Sequence, residues 1–238
     1  FARRGLTRLL SSSASAAALV AATMVPAAFA VTPPAMGDAY VYRLVNGYSK
    51  ETRGQIRYEV ASVGSDRITV SVTPDNPAAG AERTEIYTKE GNWLRYSLDS
   101  HGMPVEYDFA AAYPAYVFPL DPGKSWSVRV NATVPGDRRS RSVRVDGRVL
   151  GTERVRVPAG EFDTVKIRRL VYSGDAGSFR TETQIVEFDW YAPALGRMVR
   201  TERRSQWMDT SRCPEEGNCD FYGDWSVFEL VELRAEKR

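Results

Sequence analysis

"VRVPAGEFDTVKI", residues 155–167, places two alternating runs on either side of a Pro-Ala-Gly break. Val155 and Val157 fall on one side of an extended chain, and Arg154 and Arg156 fall on the other. That is the period of two expected of a strand with one face buried. Pro158 has no amide proton to give to a ladder, so pairing stops there. Gly160 accepts backbone angles that other residues resist, which suits a reversal. Phe162 then returns to the core side and anchors a second strand. Pro158, Gly160 and Phe162 thus read as a structural turn inside a hairpin. Glu161 and Asp163 share one face of the second run. Catalytic carboxylate pairs face each other across a cleft, about 5–9 Å apart, so this spacing favours a turn over acid–base chemistry.

Working outward, the same alternation recurs along the chain. "QIRYEVAS" sets Ile56, Tyr58 and Val60 against Arg57 and Glu59, and "RITVSVT" repeats it with Ile68, Val70 and Val72. "WSVRVNA" sets Trp126, Val128 and Val130 against Ser127, Arg129 and Asn131, and "TVKIRR" sets Val165 and Ile167 against Lys166 and Arg168. In "TQIVEFDW" the apolar phase slips at Ile185-Val186, which predicts a β-bulge. "WSVFELVEL" is apolar on both faces in its middle and predicts a central or doubly covered strand. Turn signals such as Asn46-Gly47, Gly64-Ser65-Asp66, His101-Gly102, Pro135-Gly136-Asp137 and Asp146-Gly147 separate the runs. "DFAAAYPAYVF" is the one longer irregular link, with room for a helical turn. The expected fold is all-β: a single curved antiparallel sheet, half-open barrel or sandwich-like, formed by a long meander with little helix. "GDAYVYRL" at 37–44 parallels "GKSWSVRV" at 123–130. This weak repeat leaves open whether the one domain, 31–238, consists of two similar halves, about 37–110 and 120–238.

The first thirty residues read as an address. Arg3, Arg4 and Arg8 precede a short apolar stretch, Ala14 to Val25, and then Ala28-Phe29-Ala30. That order is the pattern of a secretory signal peptide over residues 1–30, cleaved near Ala30 so that the mature chain starts at Val31. The expected location is periplasmic or secreted, with no transmembrane segment in the mature chain. Arg3-Arg4 leaves twin-arginine export open. Phe1 in place of methionine leads us to expect further residues before it. The formal charge is +2, and without the three leader arginines it is −1. That balance gives no electrostatic footprint for nucleic acid or an anionic membrane. An exported chain meets an oxidising compartment, so Cys213 and Cys219 are expected to form a disulfide, with free thiols as the alternative.

Chemistry-bearing patterns are sparse. His101 is the one histidine, in the turn-like "DSHGMP", so neither a metal site nor a catalytic triad is expected. No nucleophile elbow or phosphate loop occurs, and no cofactor is expected. Trp190-Tyr191 precedes the Pro193 turn and is the candidate ligand-stacking pair, although an aromatic pair at a sheet corner also reads as a core plug.

"GDAYVYRL", "FPLDPGKSWSVRV", "GTERVRVPAGEFDTVKI" and "FDWYAPALGRMVR" occur in that order. Together, over roughly Gly37 to Arg204, they resemble a group of exported bacterial proteins classed as a domain of unknown function. That group carries Val-Pro-Ala-Gly-x-Phe and Trp-Tyr-x-Pro motifs. It is distantly similar to the lipoprotein-localisation-factor fold, a half-open β-barrel that shelters acyl chains. The resemblance implies a curved antiparallel sheet with an apolar concave face and carries over no catalytic residues. "RCPEEGNCDFYGDW" departs from the group's pattern. The leading expectation is a non-catalytic exported protein that binds an apolar ligand or envelope component. The alternatives are a structural or assembly module docked by partner proteins through a sheet edge, and an envelope enzyme acting on glycan or ester.

Overall fold

The structure is a computed structural model that describes residues 34–137, 139–213 and 219–234. The expected leader and its Ala30–Val31 junction lie outside these residues. Alternation of apolar and polar side chains resolves into thirteen strands: β1 (Ala39–Asn46), β2 (Thr52–Val63), β3 (Ile68–Pro74), β4 (Arg83–Tyr87), β5 (Trp93–Ser100), β6 (Met103–Tyr113), β7 (Ser125–Thr133), β8 (Ser140–Val157), β9 (Gly160–Tyr172), β10 (Gln184–Ala192), β11 (Arg197–Met208), β12 (Asp220–Tyr222) and β13 (Ser226–Arg234). Short 3-10 turns occur at Pro77–Ala79, Pro193–Leu195 and Thr210–Arg212. Residues 108–118 hold no helical turn, contrary to the sequence expectation: Asp108–Tyr113 finish β6 and 114–118 are irregular.

All strand pairs are antiparallel, and from β1 to β11 each strand pairs with its sequence neighbours. The half-open barrel is corrected here. β13 pairs with β1 on one side and β11 on the other, while β11 also pairs with β10, so twelve strands close into a ring. The edges that an open sheet would leave unpaired thus satisfy each other. β12 stays outside the ring as a short strand on the flank of β11. The expectation for "WSVFELVEL" holds in that β13 lies between two strands. The thin seams are β4–β5, paired through Ile86–Arg95 and Tyr87–Trp93, and β6–β7, paired through Asp108–Thr133 and Phe109–Ala132.

The inward faces pack into two apolar clusters. One, from the β5–β10 side, includes Trp93, Leu98, Tyr107, Val145, Ile167 and Ile185. The other, from the β1–β3 side, includes Tyr42, Ile56, Val70, Val199 and Leu230. The quoted stretch is the tip of the β8–β9 hairpin. Val157 pairs with Gly160, so Pro158 and Ala159 make the turn. Gly160 has φ +140°, where a β-carbon would be strained. The tip docks on the ring: the Ala159 amide donates to the Leu230 carbonyl at 3.0 Å, and Val155, Val157 and Phe162 join the second cluster. Cys213 and Cys219 are joined as a disulfide at the start of the β12 flank, with α-carbons 4.7 Å apart.

The expected bulge at Ile185-Val186 is also corrected. β10 pairs with β11 in unbroken register from Gln184 to Trp190, and the shift falls between Trp190 and Tyr191. The inward residues below that point are Ile185, Glu187 and Asp189. The apparent slip arose because the strand turns carboxylates, not only apolar side chains, toward the interior.

Candidate functional site

Register places the interior charges. On β9 the buried inward positions are Val165, Ile167, Arg169 and Val171. On β11 Thr201 and Ser205 are buried, and Arg203 lies in phase between them. Glu187 stands directly opposite Arg169 on one side and Arg203 on the other. Directly opposed positions bring side chains within contact. Arg169 Nε lies 3.0 Å from Glu187, and a terminal nitrogen of Arg169 lies 2.6 Å from Asp189. Arg203 Nε is 2.6 Å from the second Glu187 oxygen, a charge contact whose angle departs from that of a hydrogen bond.

The remaining valences close across the barrel. Arg203 donates to the Tyr96 hydroxyl on β5 at 2.5 Å, and Arg169 donates to the Ala115 carbonyl at 3.1 Å. Tyr116 and Thr201 donate to Asp189 at 2.9 and 2.7 Å. On the facing wall Arg83 donates to Glu85 at 2.8 Å, and the Tyr87 hydroxyl donates to the other Glu85 oxygen. Burial works against the Arg169 charge, but Asp189 and Glu187 outweigh it and raise its pKa well above the ordinary value. Burial, opposed by Arg203 and reinforced by Glu85 and Glu187, pushes the Tyr96 phenol up to about 12. Arg169 therefore stays charged and Tyr96 neutral through neutral pH, and the network acts as a paired scaffold.

Two chambers flank this charged layer, toward opposite ends of the barrel. The smaller, about 90 Å³, lies among Tyr42, Tyr58, Ile68, Val70, Tyr87 and Met198. The larger, about 380 Å³, lies over Leu44, Ile56, Leu98, Pro104 and Phe228, with the Pro77–Ala81 segment along one side. Arg203 lines both. Each charged side chain of the larger chamber has a partner. Arg53 meets Asp224 at 2.5 Å, Arg83 meets Glu85, Arg203 meets Glu187, and Glu106 meets Arg95 at 3.7 Å. Asp99 accepts from Ser205 at 2.9 Å and from the Gly102 amide at 2.7 Å.

The residues singled out in the sequence lie elsewhere. Trp190 and Tyr191 are both buried and line neither chamber. Trp190 donates to Glu153 and lies under Lys166, 4.5 Å from the ring centroid, whereas Tyr191 packs on Tyr116 and Phe118 at 4.9 and 5.8 Å. Glu161 and Asp163 pair across the hairpin with Arg156 and Arg154 at the surface. His101 has Nδ1 3.3 Å from Asp175 and Nε2 3.0 Å from the Thr181 carbonyl, so no nucleophile stands at either nitrogen. Among the described residues no group of three or more His, Cys, Asp or Glu side chains is placed to hold a metal ion. The interior network escaped the sequence reading, although Arg169 falls in phase with Val165 and Ile167, and Glu187 and Asp189 with Ile185.

The chain matches no protein-family model, and no curated protein matches it. Solved structures similar to it include the following three. A "putative lipoprotein" from Parabacteroides distasonis ATCC 8503 is 15% identical over 85% of this chain and 97% of its own, with a TM-score of 0.47. A "putative exported protein with YmcC-like fold" from Bacteroides fragilis NCTC 9343 is 15% identical over 86% and 98%, with a TM-score of 0.46. The "hypothetical lipoprotein YmcC" from Escherichia coli K12 is 11% identical over 82% and 83%, with a TM-score of 0.43.

Proposed function

We propose that the protein is exported to the cell envelope and holds a neutral, largely apolar small ligand in the larger chamber, without chemistry of its own. The leader-like residues 1–30 support export. The observation that carries the binding reading is the chamber itself. Its volume of about 380 Å³ falls in the range of small-molecule sites. Its floor of Leu44, Ile56, Leu98 and Phe228 is apolar, while its charges already have partners in the protein. A charged ligand would have to displace one of those pairs, whereas a neutral apolar one displaces only water.

Docking through a sheet edge is the weaker reading. Each of the twelve ring strands pairs on both sides, and among the described strands three-residue β12 alone pairs on one side only. Fluorescence of N-phenyl-1-naphthylamine tests the ligand reading. The native chain should give a saturable rise with a blue shift. Ala81→Trp, at an exposed position lining the chamber, should abolish that rise with an unchanged thermal midpoint. Equal binding of the dye by this variant would overturn the reading.

A further inference from the structure

The near-neutral charge of the chain conceals how its arginines are arranged. On the outer face of β7, β8 and β9, register sets Arg129 directly opposite Arg144, and Arg148 directly opposite Arg168. Like charges in directly opposed positions destabilise a sheet. Arg144 is partly compensated by Asp146 at 3.3 Å and lies over the Tyr172 ring, 3.8 Å from its centroid. Arg129, Arg148, Arg168 and, on β11, Arg204 are exposed. None of these four has a carboxylate within ion-pairing distance among the described residues. Arg154 and Arg156, at the hairpin tip of the same β8 strand, each face an acid.

Among these arginines the outward acids Asp146 and Glu202 are taken up by Arg144 and Arg200, and several other outward positions are apolar. Leu170 pairs with Val186, and Phe188 stands directly opposite Arg168. Leu150, the extra residue where the β8–β9 register shifts, is 44% exposed. A wall of guanidinium groups without ion pairs, one of them, Arg204, over the Trp225 ring at 5.4 Å, set beside apolar side chains has the character of an interfacial surface. We infer that this outer wall binds an anionic phospholipid surface, with Arg129, Arg148, Arg168 and Arg204 on the headgroups and exposed Leu150 at the acyl boundary. A soluble polyanion would satisfy the arginines and leave the apolar side chains in water, so the lipid surface fits more of the wall. Nothing in this inference depends on the interior ligand.

Vesicle sedimentation tests it. The chain should bind vesicles of phosphatidylcholine mixed with phosphatidylglycerol, release them at high salt, and ignore phosphatidylcholine alone. Each arginine near an anionic surface is worth roughly a five-fold gain in affinity. The Arg148→Gln/Arg168→Gln variant should therefore bind about 25-fold more weakly. Arg154→Gln/Arg156→Gln removes the same formal charge from paired side chains and should change binding little. Matching melting curves identify both variants as folded. Equal losses in the two variants would overturn the inference. So would binding of soluble polyphosphate through Arg148 and Arg168 without binding of the vesicles, which would make the partner a soluble polyanion.

Discussion

The tripeptide Glu-Phe-Asp occurs twice, at 161–163 at the start of β9 and at 187–189 in the middle of β10, and the acids of the two copies meet different surroundings. At the hairpin tip Phe162 turns toward the second apolar cluster and the acids turn out, with 44% and 76% of their side chains exposed. In β10 the acids are buried, at 0% and 2%, while Phe188, like Phe162, is half-buried against the second cluster. The pairing rule is shared. Glu161 is directly opposite Arg156 and Asp163 opposite Arg154, just as Glu187 is opposite Arg169 and Arg203. What differs is the solvent. Exposed pairs are worth about 0–1 kcal/mol, whereas removing one partner of a buried pair leaves a stranded charge at about 3–5 kcal/mol. Local sequence thus sets which residues can pair, and ring geometry decides what the pair is worth.

The largest effect expected is at Glu187. Glu187→Gln leaves Arg169 and Arg203 facing each other without their shared carboxylate, and urea unfolding should show a loss of about 3–5 kcal/mol. A loss under 1 kcal/mol would mean that the interior is wet enough to screen the pair. Next, Gly160→Val forces a β-branched residue to φ +140° and should cost about 1–3 kcal/mol by the same assay, with Gly151 of the β8 bulge as a second positive-φ control. A third carboxylate sharpens the comparison because it is buried against hydroxyl and amide donors, with His101 Nδ1 3.3 Å away. Burial works to raise the Asp175 pKa, but hydrogen bonds from Ser173, Ser100 and Thr183 outweigh it and hold it below the usual carboxylate value. Its contribution is therefore present above the unfolded value near 3.9 and is lost as pH falls through the folded value. Acid titration of stability should be shallower in Asp175→Asn than in the native chain. The smallest effect is at the tip, where Glu161→Gln with Asp163→Asn should stay within about 0.5 kcal/mol by thermal melting.

These outcomes follow what was legible beforehand. Strand alternation and the Pro158–Gly160 break were local signals, and the all-β antiparallel class followed from them. Closure was not local. It depends on β1 meeting β13 and on β13 meeting β11, pairings between segments that share no motif. The site was hidden by an assumption about polarity. Arg169, Glu187 and Asp189 sit at inward-phase positions, but a period-two reading that assigns charge to solvent places them outside or invents a bulge at Ile185. The larger chamber draws its lining from seven strands and the intervening segments, so no single window of sequence contains it. The outer arginines were visible as residues, but their direct opposition required the register.

Ring closure also sets an order of events in time. Each hairpin from β1 to β11 can zip against the strand made just before it, which keeps most pairing short in sequence. Arg43 and Glu229, in contact across β1 and β13, are 186 residues apart. Contacts of that span form late because the intervening chain must be ordered first. In a chain emerging N-terminus first, the outer edge of β1 waits uncovered until the last strand arrives. During that interval it is a template for another copy, so the half-made barrel is the species most exposed to misassembly and to a chaperone.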